Sequence, residues 1–97
     1  MCVAACYRPA LVTVEVRMPQ LVSHECAEQV MAALNALEAD ALREVGADID
    51  RQVMTITYDP SRLALKNIEH ALARAGFDAN EIAADPDARA RLPAPCR

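Results

Sequence analysis

With 97 residues, 54% of them hydrophobic, the chain can close one domain around a single core without a metal or disulfides to hold it together. A formal charge of -4 excludes the dense Lys/Arg face that phosphate backbones require, so no nucleic-acid partner is expected. No run of about 18 apolar residues occurs and Met1 to Ala10 lacks the charged start and long apolar run of a secretory leader, which together give the expectation of a cytoplasmic protein with no direct membrane insertion.

Residues 1–10 read as an N-terminal extension that carries Cys2, Cys6 and Pro9. From Leu11 to Met18 the chain alternates, Val12, Val14 and Val16 against Thr13, Glu15 and Arg17, which marks a strand buried on one side. Pro19 ends it, Ser23 offers an N-cap, and Ala27, Val30, Leu34 and Leu37 form the apolar stripe of a helix over about Glu25 to Glu38. Val45, Ala47 and Ile49 alternate within a second strand, Leu42 to Asp50, and a short turn at Arg51 and Gln52 leads to a third, Val53 to Tyr58, forming a hairpin.

Asp59-Pro60 interrupts that strand, and Ser61 is the expected cap of a second helix with Leu65, Ile68, Leu72 and Ala75 on its apolar face and Gly76 at its end. Phe77 to Ile82 reads as a short edge strand. The predicted order is therefore βαββαβ, an α+β ferredoxin-like sandwich with a four-stranded antiparallel sheet and two helices on one face, over residues 11–82. Residues 83–97 form a tail: Asp85-Pro86-Asp87 starts a short helix to about Leu92, and the last few residues are expected to fray.

Val16 to Val30, with Ser23-His24-Glu25-Cys26 at its centre, resembles the metal-binding loop of the heavy-metal-associated domain family of copper chaperones, mercury carriers and ATPase modules. The family's Gly-Met-Thr-Cys-x-x-Cys-Ala-x-x-Val aligns without a gap. Cys26, Ala27 and Val30 match, as do Thr57-Tyr58-Asp59-Pro60 and Ala75-Gly76-Phe77-Asp78-Ala79 farther on. Gln20 replaces the glycine, Leu21 the methionine, Val22 the threonine and Ser23 the first metal-binding cysteine. Leu21 can take over the methionine's packing, but the two-thiolate site is gone. The resemblance implies the ferredoxin-like fold, a non-enzymatic metallochaperone role, and delivery of the ion by ligand exchange to an acceptor such as a metal-transporting P-type ATPase.

Soft thiolates select Cu(I), and the positive end of a helix favours the thiolate form, so Cys26 is the leading candidate ligand. Ser23 keeps its proton near neutral pH and is better suited to capping a backbone N–H. His24 is the candidate second ligand, since imidazole suits copper and zinc; Cu(I) is the expected ion, with Zn(II) or another borderline metal as the alternative. A second protomer could instead supply its own Cys26 across a two-fold axis, giving a metal-bridged homodimer. Against these stand plainer readings: Cys26 as a small core residue, His24 as a solvated loop histidine and His70 as a surface residue.

In a reducing compartment the cysteines read as free thiols, metal ligands or redox groups rather than structural disulfides. Cys2 and Cys6 have a spacing that could chelate an ion, and with Cys96 they could form a second thiol cluster that binds zinc or copper or oxidises to a disulfide, or else all lie exposed in frayed ends. The predicted strand directions put them, and the start of the tail that carries Cys96, at the pole opposite Ser23. From Leu11 back to Cys6 the chain spans only about 17 Å, against more than about 20 Å needed to cross the first strand. The function expected is thus a small cytoplasmic soft-metal chaperone or buffer. The alternatives are a protein-interaction or regulatory module that kept the fold without the metal, and thiol redox chemistry by Cys26. No His/carboxylate constellation or phosphate loop suggests an enzyme.

Overall fold

The computed structural model describes residues 10–37 and 41–97; Cys2, Cys6 and Glu38 lie outside them. The first strand, β1, runs over Val12–Arg17 and the helix α1 over His24–Asn35. The strands β2, Leu42–Asp48, and β3, Val53–Tyr58, form the expected hairpin, and α2 spans Leu65–Arg74. A short helix α3, Pro86–Ala90, and a 3-10 turn, Ala94–Cys96, complete the described elements.

β3 lies between β1 and β2, antiparallel to both. Val14 and Val45 flank Ile56, and Val16 and Ala47 flank Met54, so the predicted apolar sides of the strands share one face. That face packs on Val30 and Leu34 of α1 and on Ile68 and Leu72 of α2, all essentially inaccessible to water. Each such aliphatic side chain contributes roughly 1.5–3 kcal/mol on burial. The ion pair Arg17–Glu81 joins side chains that are mostly solvated, and exposed pairs contribute at most about 1 kcal/mol. Apolar packing therefore sets the architecture.

Three sequence expectations change. Ser61 does not cap α2: its N–H and hydroxyl both donate to Asp59 Oδ1, at 2.9 and 2.7 Å, closing a turn directly after β3. The helix starts later, behind Ala64, whose N–H donates to Asn67 Oδ1 at 3.1 Å.

The larger correction concerns the sheet, which has three strands among the described residues rather than four. Phe77 to Ile82 begins along the edge of β1, where the Asn80 N–H donates to Arg17 O at 2.9 Å. It then turns back on itself through an isolated bridge between Ala79 and Ile82. Asn80 adopts a left-handed φ of 52°, incompatible with an extended strand, and its side chain fixes the turn. Asn80 Oδ1 accepts from the Arg17 N–H at 2.9 Å, and Nδ2 donates to the buried Glu69 Oε2 at 2.7 Å.

This reversal decides where the tail goes. A fourth strand would have carried the chain across the sheet; the turn keeps it near the end of β1 and the start of α1. α3 then forms as its sequence indicates, with Pro86 in its first turn and Asp85 accepting from the Ala88 N–H at 3.0 Å. It lies against Gly76, whose φ of +104° ends α2; a Cβ there would sit 2.7 Å from the Arg89 nitrogen. The Asp85 N–H donates to Ala73 O at 2.8 Å and the Ala84 N–H to Asp78 Oδ1 at 2.8 Å. The expected fraying of the last residues does not occur, since Leu92 and Cys96 are both buried in the core.

Candidate functional site

The candidate site is the loop from Met18 to Ser23 and the first turn of α1. Met18 and Leu21 are completely buried, Leu21 doing the packing expected of it, while Val22 stays about half exposed. Ser23 caps α1 from an extended backbone, its Oγ accepting from the Cys26 N–H at 3.4 Å. The same hydroxyl donates to Cys26 Sγ at 3.3 Å, so it orients the sulfur as well as the helix start.

His24 is the first residue of α1 and is exposed, as is Glu25. Cys26, the third residue, has no accessible surface and lies in the core cluster, but it is not isolated from other donor atoms. Its sulfur is bonded to that of Cys96, with the Cα atoms 5.5 Å apart across 70 residues of sequence. Cys96 is therefore at the same pole as Ser23, correcting the expectation that its tail starts at the opposite one. The expectation that structural disulfides are disfavoured is corrected with it. Among the described residues no group of three or more His, Cys, Asp or Glu side chains comes together. The suggested cluster of Cys2 and Cys6 falls outside those residues. His70 is exposed on α2.

Gln20, read from the sequence only as a lost glycine, is the organising side chain. It is 4% exposed, and its amide makes three hydrogen bonds. Nε2 donates to Gly76 O at 2.8 Å and to Cys96 O at 2.9 Å, while Oε1 accepts from the Asp78 N–H at 2.7 Å. One side chain thus ties together the loop before α1, the end of α2 and the end of the tail. A polar residue with amide donors and acceptor where the family pattern has glycine was the available signal; its partners, 56 to 76 residues away, were not readable.

Phe77 is fully buried and serves as packing next to this network. Asp78 continues the network outward through the Arg89 guanidinium, 3.5 Å from its carboxylate. Chemically, the pole presents one sulfur at the amino-terminal turn of a helix, a hydroxyl directed at it, and a second sulfur delivered by the tail. Such a pair can exist as a disulfide or as two thiols, with the helix start and the Ser23 hydroxyl both directed at Cys26.

No family model matches the sequence, and no curated protein is similar enough to count as a relative. Solved structures do match in fold. The oxidized MerP from Ralstonia metallidurans CH34 is 21% identical, covering 73% of this chain and 96% of that one, with a TM-score of 0.66. A CopZ metallochaperone is 19% identical over 70% of this chain and 98% of its own, with a TM-score of 0.62. A ZiaAN sub mutant is 24% identical over 74% and 99%, with a TM-score of 0.61. The chain shares the fold of these structures, which cover 70 to 74% of its length.

Proposed function

We propose that the chain is a heavy-metal-binding protein of the chaperone type, which takes a soft ion as cargo at the start of α1 and releases it by ligand exchange. The observation that carries this reading is Cys26 itself: a sulfur in the first turn of a helix, oriented by the Ser23 hydroxyl at 3.3 Å and free to act as a thiolate once its bond to Cys96 is reduced, in a fold shared with a CopZ metallochaperone. Cu(I) is the favoured cargo because a reduced sulfur site prefers soft ions, and Zn(II) is the next candidate. The role needs no catalytic group. We place it in the cytoplasm, where thiol pools can reduce the Cys26–Cys96 bond and free both sulfurs, with a metal-transporting P-type ATPase or another thiol-bearing acceptor downstream. His24, exposed two residues before Cys26 at the start of α1, is the candidate to assist in transfer. A Cys26-bridged homodimer would require the tail to leave, because Cys26 is covered in the single chain.

The test is anaerobic Cu(I) titration of the reduced protein against a competing chelator. Cys26→Ser is expected to abolish the tightest site, and unchanged binding would refute the reading. The complete burial of Cys26 favours one alternative, a metal-free interaction module locked by its tail, and that is the conclusion such a result would leave.

A further inference from the structure

Two of the four replacements in this loop, Gln20 and Ser23, are polar, and the tail supplies a further cysteine, Cys96. The structure brings all three to one place. Gln20 holds the Cys96 carbonyl at 2.9 Å, Ser23 holds the Cys26 sulfur at 3.3 Å, and the Cα atoms of the two cysteines lie 5.5 Å apart. We propose that Cys26 and Cys96 form a redox-gated two-sulfur site, closed as the disulfide and, when reduced, binding a soft monovalent cation between the two thiolates. This rests on the metal-carrying role proposed above and names its second ligand and its switch.

The tail is tied to the body where Gln20 Nε2 donates to Cys96 O and the Asp85 N–H donates to Ala73 O, and it is shaped by bonds within itself; none of these depends on the sulfur link. Gln20 fixes the Cys96 carbonyl, and the Cys96 N–H donates to Pro93 O at 2.8 Å. Arg97 Nε donates to Leu92 O at 2.9 Å, and Asp85 and Asp78 hold the segments that precede it. Pro93 and Pro95 restrict the backbone around the turn. After reduction Cys96 therefore remains facing Cys26 instead of diffusing away, and the second thiolate is present at high effective concentration. With metal–sulfur bonds of about 2.3 Å as a gauge, a bridging ion needs the sulfurs roughly 4 to 5 Å apart. Side-chain rotation reaches that separation from Cα atoms 5.5 Å apart with modest easing of the turn.

The chemistry balances with a dithiol as reductant. Its two thiols become a disulfide while their two electrons and two protons pass to the Cys26–Cys96 bond, giving two thiols. Cu(I) then displaces both protons to solvent and forms two metal–sulfur bonds, leaving a site of net charge -1 that the amino-terminal end of α1 and the Ser23 hydroxyl accommodate. The reverse exchange, with a small disulfide as oxidant, passes the two electrons of the Cys26 and Cys96 thiolates to that disulfide, which takes up two protons from solvent as two thiols; the Cys26–Cys96 bond re-forms, both thiolate ligands are lost and Cu(I) leaves unchanged in oxidation state.

The test uses the full chain with Cys2→Ser and Cys6→Ser as background, reduced with dithiothreitol, freed of it anaerobically and titrated with Cu(I) against a chromophoric chelator. One ion per chain is expected, with two sulfur neighbours by X-ray absorption. Cys96→Ser should weaken binding at least 100-fold, whereas His24→Ala should change it less than 3-fold. The oxidised protein should bind no ion at this site. Loss of binding on Cys26→Ser with none on Cys96→Ser would overturn this proposal while leaving the carrier role intact. Indifference to both substitutions would refute both. A single-sulfur absorption spectrum from the reduced background protein would refute the paired site even if Cys96→Ser disturbed the fold, and equal affinity of the oxidised form would refute the gate.

Discussion

Replacing Gln20 by methionine keeps the volume of the buried side chain and deletes its hydrogen bonding. Gln20→Met leaves Gly76 O, Cys96 O and the Asp78 N–H without the partners they have at 2.7 to 2.9 Å. A buried hydrogen bond is worth a net 1 kcal/mol or so, and an orphaned buried group costs about 1–3 kcal/mol. Three bonds on one amide therefore predict a loss of about 3 kcal/mol. Isosteric packing removes the cavity contribution that Gln20→Ala would add. For a chain of this size that corresponds to a fall in Tm of roughly 12–24 °C. The assay is urea denaturation of the oxidised protein, so that the covalent link is common to both, with the midpoint shifting at constant slope. Amide exchange at Cys96 and Arg97 should quicken more than in the sheet, because the turn loses its anchor. A destabilisation below about 1 kcal/mol would show that the amide does not support this pole.

A pair of glycine substitutions separates close approach from generic chain stiffening. Gly76→Ala meets both a φ of +104° and the Arg89 nitrogen at 2.7 Å, so it should cost more than about 2 kcal/mol in denaturant melts and loosen α3. Gly46→Ala meets nothing within 4 Å and should be neutral or stabilising by up to about 1 kcal/mol. Reduction of the disulfide, which closes a loop of 70 residues, should lower stability by up to about 4 kcal/mol in thermal melts while the sheet signature in circular dichroism persists below the transition; an unchanged Tm would mean that the link is not formed. Asp59 is held below the usual carboxylate range, first by the Ser61 hydroxyl and then by the Ser61 N–H. Its ionised form therefore favours folding above its unfolded pKa near 3.9, an effect lost as pH falls through the lower folded value. Ser61→Ala should move the folded pKa up towards the ordinary value in a carboxyl-carbon NMR titration; no movement would remove the hydroxyl as the cause.

The elements that were legible are those whose signal is local. Val12, Val14 and Val16 alternate because a strand buried on one side demands it, and Asp85-Pro86 announces a helix start by means that act within one turn. The fourth strand failed because its apolar alternation, Phe77 and Ala79, stops at Glu81. Asn80 gains more from bonding Arg17 and Glu69 in a left-handed conformation than from extending the sheet. Ser61 failed as a cap because it closes a turn on Asp59, and the helix begins only after Ala64, three residues farther on. At the site, the position of Cys26 and the capping role of Ser23 were readable from spacing. The pairing with Cys96 was not. It depends on the chain reversing at Asn80, and disulfide connectivity across 70 residues has no local signature.

The same geometry yields a rescue experiment on the proposed paired site. Ser23 Oγ already lies 3.3 Å from Cys26 Sγ, so Ser23→Cys places a thiol within reach of the same ion from within the loop. If the tail's contribution is a ligand and not merely a cover, then Ser23→Cys should restore the Cu(I) affinity that Cys96→Ser removes. It should do so without restoring the dependence of tail anchoring on the redox state. The cap survives in weakened form, because sulfur accepts the Cys26 N–H less well than oxygen, and about 1 kcal/mol of helix stability is the expected cost. Chelator competition on the reduced double variant measures the affinity, and amide exchange at Leu92 and Arg97 reports the tail. Failure of the rescue in a variant that remains folded would mean that Cys96 acts on Cys26 only by covering it. The disulfide would then serve as a clasp for the tail, with metal binding left to Cys26 and whatever donor reaches it from solvent.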